Sequence, residues 1–89
     1  MSLSFPNQSR SFDPTRRRVR FWGYDSAIEI SFFLEAAALQ KITPEMGDAE
    51  GGILAAFDAA RGRIYEVADK VYTRGRRGSF AYILAAKDF

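Results

Sequence analysis

Between Arg17 and Phe32 the side chains alternate in character. Val19 and Phe21 fall on one side of an extended chain, and Arg18, Arg20 and Trp22 fall on the other. Gly23-Tyr24-Asp25-Ser26 is turn chemistry. Beyond it Ile28, Ile30 and Phe32 alternate with Ala27, Glu29 and Ser31. Two strands patterned in this way form a hairpin with one dry face and one wet face. This constrains the fold tightly, because a slip of one residue would turn every apolar side chain toward water. A loop of even length pairs Phe21 with Ile28 and Val19 with Ile30 on the dry face. It sets Arg20 opposite Glu29 on the other, an opposite-charge pair worth roughly 0.2–1 kcal/mol.

The dry face needs a cover, and the middle of the chain supplies one. Glu35–Ile42 is rich in helix formers and predicts a short helix. Thr43-Pro44-Glu45 reads as a cap with proline at the first helical position. Asp48 is the expected cap of a long helix over 49–74. Along it Ile53, Leu54, Phe57, Ile64, Val67, Ala68 and Val71 form one apolar stripe. Gly62 in its middle is explained by close packing against a neighbour, and Gly75 suits a left-handed cap. Ser79–Leu84 reads as a third strand, with Phe80, Tyr82 and Leu84 inward and Ala81 and Ile83 outward. Residues 1–15, broken by Pro6 and Pro14, read as an irregular arm with a short extended piece at Leu3–Phe5. Residues 16–89 read as a single domain. The expected class is α+β in the order β-β-α-α-β. A crossover from the second strand would set the third beside the first, giving a three-stranded antiparallel sheet of order 2-1-3 with the long helix on one face.

Composition narrows the chemistry. The 89 residues contain no Cys and no His. Thiol chemistry, disulfides and zinc–thiolate sites are excluded, as is any triad built on histidine. Paired carboxylates such as Asp48 with Glu50 and Glu66 with Asp69 read as caps and a solvated helix face. No loop spaces oxygen ligands for Mg²⁺ or Ca²⁺. No catalytic, cofactor-binding or metal-ligating residue is therefore assigned. The N-terminus is polar, unlike a signal peptide, and the apolar window 27–39 carries Glu29 and Glu35 and is too short to span a bilayer. A core without cysteine suits a reducing cytoplasm.

Charge is distributed unevenly around a net +2. Residues 1–24 hold five arginines against Asp13, and residues 70–89 hold five basic residues against Asp88. Between them, nine acids face three bases. The favoured reading is that these segments meet and neutralise one another. The other is a polyanion surface made from the arginine segments 16–20 and 74–77. Residues 74–82, which include Arg74, Arg76 and Arg77, fail the RNA-reading strand signature, because Ser79 and Ala81 stand where it needs aromatics.

Several short stretches also carry a likeness. They are Ser4-Phe5-Pro6-Asn7, Val19-Arg20-Phe21-Trp22-Gly23-Tyr24-Asp25, and Leu54-Ala55-Ala56-Phe57-Asp58 with Ile64 and Lys70-Val71-Tyr72. Tyr82-Ile83-Leu84 with Asp88-Phe89 completes the set. Together, in this order and spacing, they resemble a small bacterial family catalogued as domain of unknown function 1488. The resemblance implies a one-domain α+β bacterial cytoplasmic protein. It implies no catalytic residue, cofactor or substrate.

The wet face of the sheet is the main candidate surface. It presents Arg18, Arg20 and Trp22, with Ala27 and Glu29 on one flank and Ala81 and Ile83 on the other. Trp and Arg are enriched at interface hot spots. This predicts a non-catalytic interaction or structural domain that binds a second copy or another protein. The competing expectation is that the N-terminal arm covers the face, with Phe5 or Phe12 on Trp22. Nucleic-acid binding through Arg18, Arg20, Arg74, Arg76 and Arg77 is the alternative, and is expected to be weak.

Overall fold

The computed structural model describes residues 3–6, 8–74 and 81–89. Among these residues four strands and three α-helices follow in order: β1 (Arg10–Asp13), β2 (Arg18–Asp25), β3 (Ile28–Glu35), α1 (Ala36–Ile42), α2 (Glu50–Ala59), α3 (Arg61–Arg74) and β4 (Ala81–Leu84). The class is α+β, but the sheet is four-stranded and mixed, in the order β1-β2-β3-β4. The expected three-stranded antiparallel sheet of order 2-1-3 is corrected in two ways. Residues 10–13 pair antiparallel with β2 and occupy its outer edge. That edge is then closed to β4, which instead pairs parallel with the free edge of β3. A parallel neighbour needs a long crossover, and α1, α2 and α3 provide it on one face.

The hairpin register also differs from expectation. The strands run on through Gly23, Tyr24 and Asp25, and the chain reverses at Ser26-Ala27, with Ser26 at φ 58°. Phe21 faces Phe32, Val19 faces Leu34, Arg20 faces Phe33 and Tyr24 faces Glu29. The shift is even, so each side chain keeps its predicted face. The longer ladder gains Leu34 for the core, at 0% exposure, and leaves Ile28 at 51%.

The helices supply the rest of that core. Leu39 of α1, Ile53 and Phe57 of α2, and Ile64 and Ala68 of α3 are all fully buried. The stripe read along 49–74 is real, but one helix becomes two. Ala60 (φ −102°, ψ 13°) breaks it, which puts Gly62 in the first turn of α3. A Cβ on Gly62 would meet nothing within 4 Å, so close packing does not explain it. Asp48 caps nothing: Ala49 is the N-cap of α2, and Asp48 instead pairs with Arg17 at 3.6 Å. In β4, Tyr82 and Leu84 turn inward while Ala81 and Ile83 turn outward, as their alternation requires. Phe80 and the cap at Gly75 lie outside the described residues.

The described residues of the arm are tied down at several points. Ser4 and Tyr24 exchange two backbone hydrogen bonds of 2.9 and 2.8 Å. Phe5 then crosses to the helical side, stacks on Tyr65 with centroids 4.0 Å apart, and meets Phe21 and Phe32. Gly23 makes room for it, since a Cβ there would stand 2.7 Å from Phe5 Cε1. Arg10 completes the attachment with two hydrogen bonds to Asp58 of α2.

Candidate functional site

All three helices pack on the inner face of the sheet, so among the described residues the outer face is built from strands. Read across the register, it has four rungs. Asp13, Arg18 and Glu35 form the first; Ser11, Arg20, Phe33 and Ile83 the second. Trp22, Ser31 and Ala81 form the third, and Tyr24 and Glu29 the fourth. The centre is apolar, made of Trp22, Phe33, Ala81 and Ile83. Ile83 is 53% exposed, a high value for a large aliphatic side chain.

The arginines sit over the rings. Arg18 sits 4.1 Å from the Phe33 centroid, and Arg20 sits 4.9 Å from Trp22 and 5.9 Å from Phe33. Such contacts are worth about 0.5–1 kcal/mol at exposed sites and more when desolvated. The geometry has a cost: Arg18 Nε is buried and makes no hydrogen bond. Arg20 Nη2 donates to Ser31 Oγ at 3.3 Å, and Tyr24 Oη donates to Glu29 Oε2 at 3.3 Å. Partial desolvation, with Glu29 beside it, holds the Tyr24 hydroxyl above the usual phenol range. Asp13 is held below the usual carboxylate range by the Arg16 and Thr15 N–H groups, with Arg16 and Arg18 adding to the effect.

The sequence-predicted residues separate into groups. Arg18, Arg20, Trp22 and Ile83 share the outer face. Ile83 adjoins Phe33 rather than Trp22, because β3 lies between their strands. The predicted Arg20–Glu29 pair does not form within the chain: the two sit on the second and fourth rungs. Arg74 ends α3 on the helical side, where it borders an open groove of about 310 Å³ with Val67, Lys70, Val71, Lys87 and Asp88. Cations in the last turns of a helix complement its dipole, and Asp88 is occupied accepting the Ala85 N–H. Arg76 and Arg77 lie outside the described residues. Neither Phe5 nor Phe12 covers Trp22: Phe5 lies among inner-face rings, and Phe12 packs against the inner core. Phe33 is the residue that sequence reading missed. The run Phe32-Phe33-Leu34 hides the alternation, although extending Ile28, Ile30, Phe32 by one step to Leu34 would have turned Phe33 outward.

Among the described residues no group of three or more acidic side chains is placed to hold a metal ion. No helix among them is long and apolar enough to cross a membrane. A family model described as "Protein of unknown function (DUF1488)" matches residues 3–84. The fold is similar to the crystal structure, at 1.60 Å resolution, of a protein of unknown function from the DUF1488 family from Shewanella loihica PV-4. The TM-score is 0.75 at 19% identity, over 90% of each chain. At that identity the likeness establishes the fold alone. No curated protein matches the chain.

Proposed function

Since the chain belongs to the DUF1488 family of proteins of unknown function, we propose from its surfaces that it is a non-catalytic interaction domain acting through the outer sheet face. One observation carries this reading. Trp22, Phe33, Ala81 and an exposed Ile83 form an apolar centre, and Asp13, Arg18, Arg20, Glu29 and Glu35 surround it. An apolar centre with a polar rim is the anatomy of a protein interface. A cysteine-free bacterial cytoplasmic setting fits it.

The settings of Arg16, Arg17, Arg18 and Arg20 do not favour a polyanion surface. Arg16 pairs with Asp13, Arg17 with Asp48, and Arg18 and Arg20 lie on rings. The outer face carries two cations against three carboxylates, which leaves few counterions to release from a nucleic acid.

The test is capture from the native host with wild type, Trp22→Ala and Ile83→Asp, each first shown by circular dichroism to be folded. Supporting results are a protein, or a second copy of the chain, that wild type retains and both variants lose. Equal retention by all three would overturn the reading. Submicromolar binding of RNA or DNA that falls steeply with salt would replace it with the polyanion reading.

A further inference from the structure

Opposite charges meet at several places in the molecule: Arg10 and Arg61 with Asp58, Arg16 with Asp13, and Arg17 with Asp48. The groove beside Arg74 is different. Lys70 and Arg74 line it from α3, and Lys87 lines it from the turn Ala86–Asp88 that follows β4. Among the described residues none of these three exposed cations forms an ion pair. Lys41 Nζ donates to the Ala86 carbonyl oxygen at 3.1 Å, which brings a fourth cation to the same turn. Asp88 also lines the groove, but its Oδ2 accepts the Ala85 N–H at 2.8 Å. Val67 and Val71, one helical turn apart and half-buried, give the groove an apolar floor.

The dipole of α3 accounts for cations in the last turns of that helix. It does not account for Lys87, which belongs to another element and faces the same space. We propose that this groove binds an acidic peptide segment of a partner protein. An apolar side chain of the peptide rests on Val67 and Val71, and its carboxylates meet Lys70, Arg74 and Lys87. The site lies on α3, away from the outer sheet face, and goes beyond the reading given above.

The lining favours this occupant over other anions. None of the lining residues carries an aromatic ring on which a base could stack, and three cations make a short phosphate track. Phosphate sites at helix ends use the free N–H groups of the N-terminus. Here the helix end is the C-terminus, whose free groups are carbonyls. Long, exposed lysine and arginine side chains can follow carboxylates spread along a peptide, at a cost in side-chain ordering. A groove of about 310 Å³ is small and open, and exposed ion pairs are individually weak. The dissociation constant is therefore on the order of 10⁻⁴ M at low salt.

Fluorescence anisotropy tests the proposal, with the full chain titrated to about 1 mM so as to bracket such a constant. The probe is a labelled peptide of one leucine flanked on each side by two glutamates. Raising salt from about 20 mM to about 200 mM should weaken its binding. Lys70→Gln/Arg74→Gln/Lys87→Gln, shown by circular dichroism to be folded, should weaken it by about tenfold or more. Glutamine for glutamate in the peptide should do the same, and serine for leucine should weaken binding several-fold by removing the apolar contact. Arg20→Gln, on the outer face, should leave binding unchanged. No binding at about 1 mM overturns the proposal, as does binding indifferent to the triple substitution or lost equally in Arg20→Gln. Tighter binding of single-stranded RNA or of inorganic phosphate than of the peptide also overturns it. Capture through Trp22 and Ile83 is a separate measurement, so the failure of either reading leaves the other standing.

Discussion

On the inner face of β2 and β3, Val19, Phe21, Ile30, Phe32 and Leu34 are each at most 1% exposed. One residue away along the same strands, Arg18, Arg20, Trp22 and Phe33 meet no helix. Both faces carry aromatic rings. On the inner face, rings pack on rings: Phe21 on Phe32 at 5.3 Å and on Phe57 at 5.2 Å. On the outer face, rings pack under guanidiniums. The first arrangement removes apolar surface from water permanently. The second shields it while keeping charge at the surface, so the face remains hydrated as a monomer and can still be desolvated by a partner. The inner face provides stability, and recognition is the role proposed for the outer face.

The sharpest way to break this contrast is a carboxylate in the core. Ile64 is fully buried on α3. Ile64→Asp leaves an unpaired charge there and should cost more than about 3 kcal/mol, enough to unfold a domain this small. Thermal melting that shows a folded variant of nearly wild-type stability would refute the assignment of that helix face.

Next in size is the seam between sheet, arm and helices. Gly23→Ala puts a methyl group 2.7 Å from Phe5 Cε1, so Phe5 must leave its stack on Tyr65. The expected cost is about 1–3 kcal/mol, as for an overpacked core. Phe5→Ala should remove most of that penalty, so the two substitutions should be far from additive in urea titrations. Additive losses would mean that Phe5 does not stand over Gly23.

The seam also shows where sequence reading reached its limit. The inward and outward faces of the strands were legible because period two survives any even shift of register. The turn was not. Gly23 looked like a turn residue, yet it sits mid-strand to admit a ring from eighteen positions earlier. Arg10–Asp13 gave no strand signal, because four residues are too few to show alternation and their partner lies across a turn. The sheet order failed for the same reason: the edge that β1 occupies was assumed free. The apolar stripe of α2 and α3 was visible, whereas the break at Ala60 left the helical spacing on either side intact. The expected pairing of basic with acidic segments is seen at Arg10 with Asp58, Arg16 with Asp13 and Arg17 with Asp48, whereas Arg18 and Arg20 lie over rings. The partners themselves, Asp48 and Phe33 among them, depended on tertiary placement.

A smaller effect tests the arm's electrostatic attachment. Hydrogen bonds from Arg10 hold Asp58 below the usual carboxylate range, against partial desolvation, with Arg61 adding to the pull. The group is half-exposed, so solvent screening limits the gain to under about 1 kcal/mol. Because the folded-state pKa is depressed, the stabilisation is complete above the unfolded value of about 3.9 and disappears as pH falls below it. Asp58→Asn should therefore lower the urea midpoint at neutral pH, and the difference from wild type should shrink below about pH 4. Molar salt should narrow the neutral-pH gap. A gap that grows in acid would contradict the sign.

The smallest effect is on the outer face, and it completes the contrast. Ile83→Asp introduces the same carboxylate as Ile64→Asp, on a side chain that is 53% exposed on a four-residue edge strand. The new charge stays in water, so no desolvation term arises. A charge on an exposed edge is also a common natural device against unwanted pairing. Folding stability should change by no more than about 0.5 kcal/mol, and chemical denaturation should show a midpoint and slope close to wild type. Association should respond instead, because Ile83 is most of the apolar area that β4 offers to a partner. A large loss of stability would show that Ile83 is covered within the monomer. The two faces would then share one role, and the outer face could no longer be the surface left for recognition.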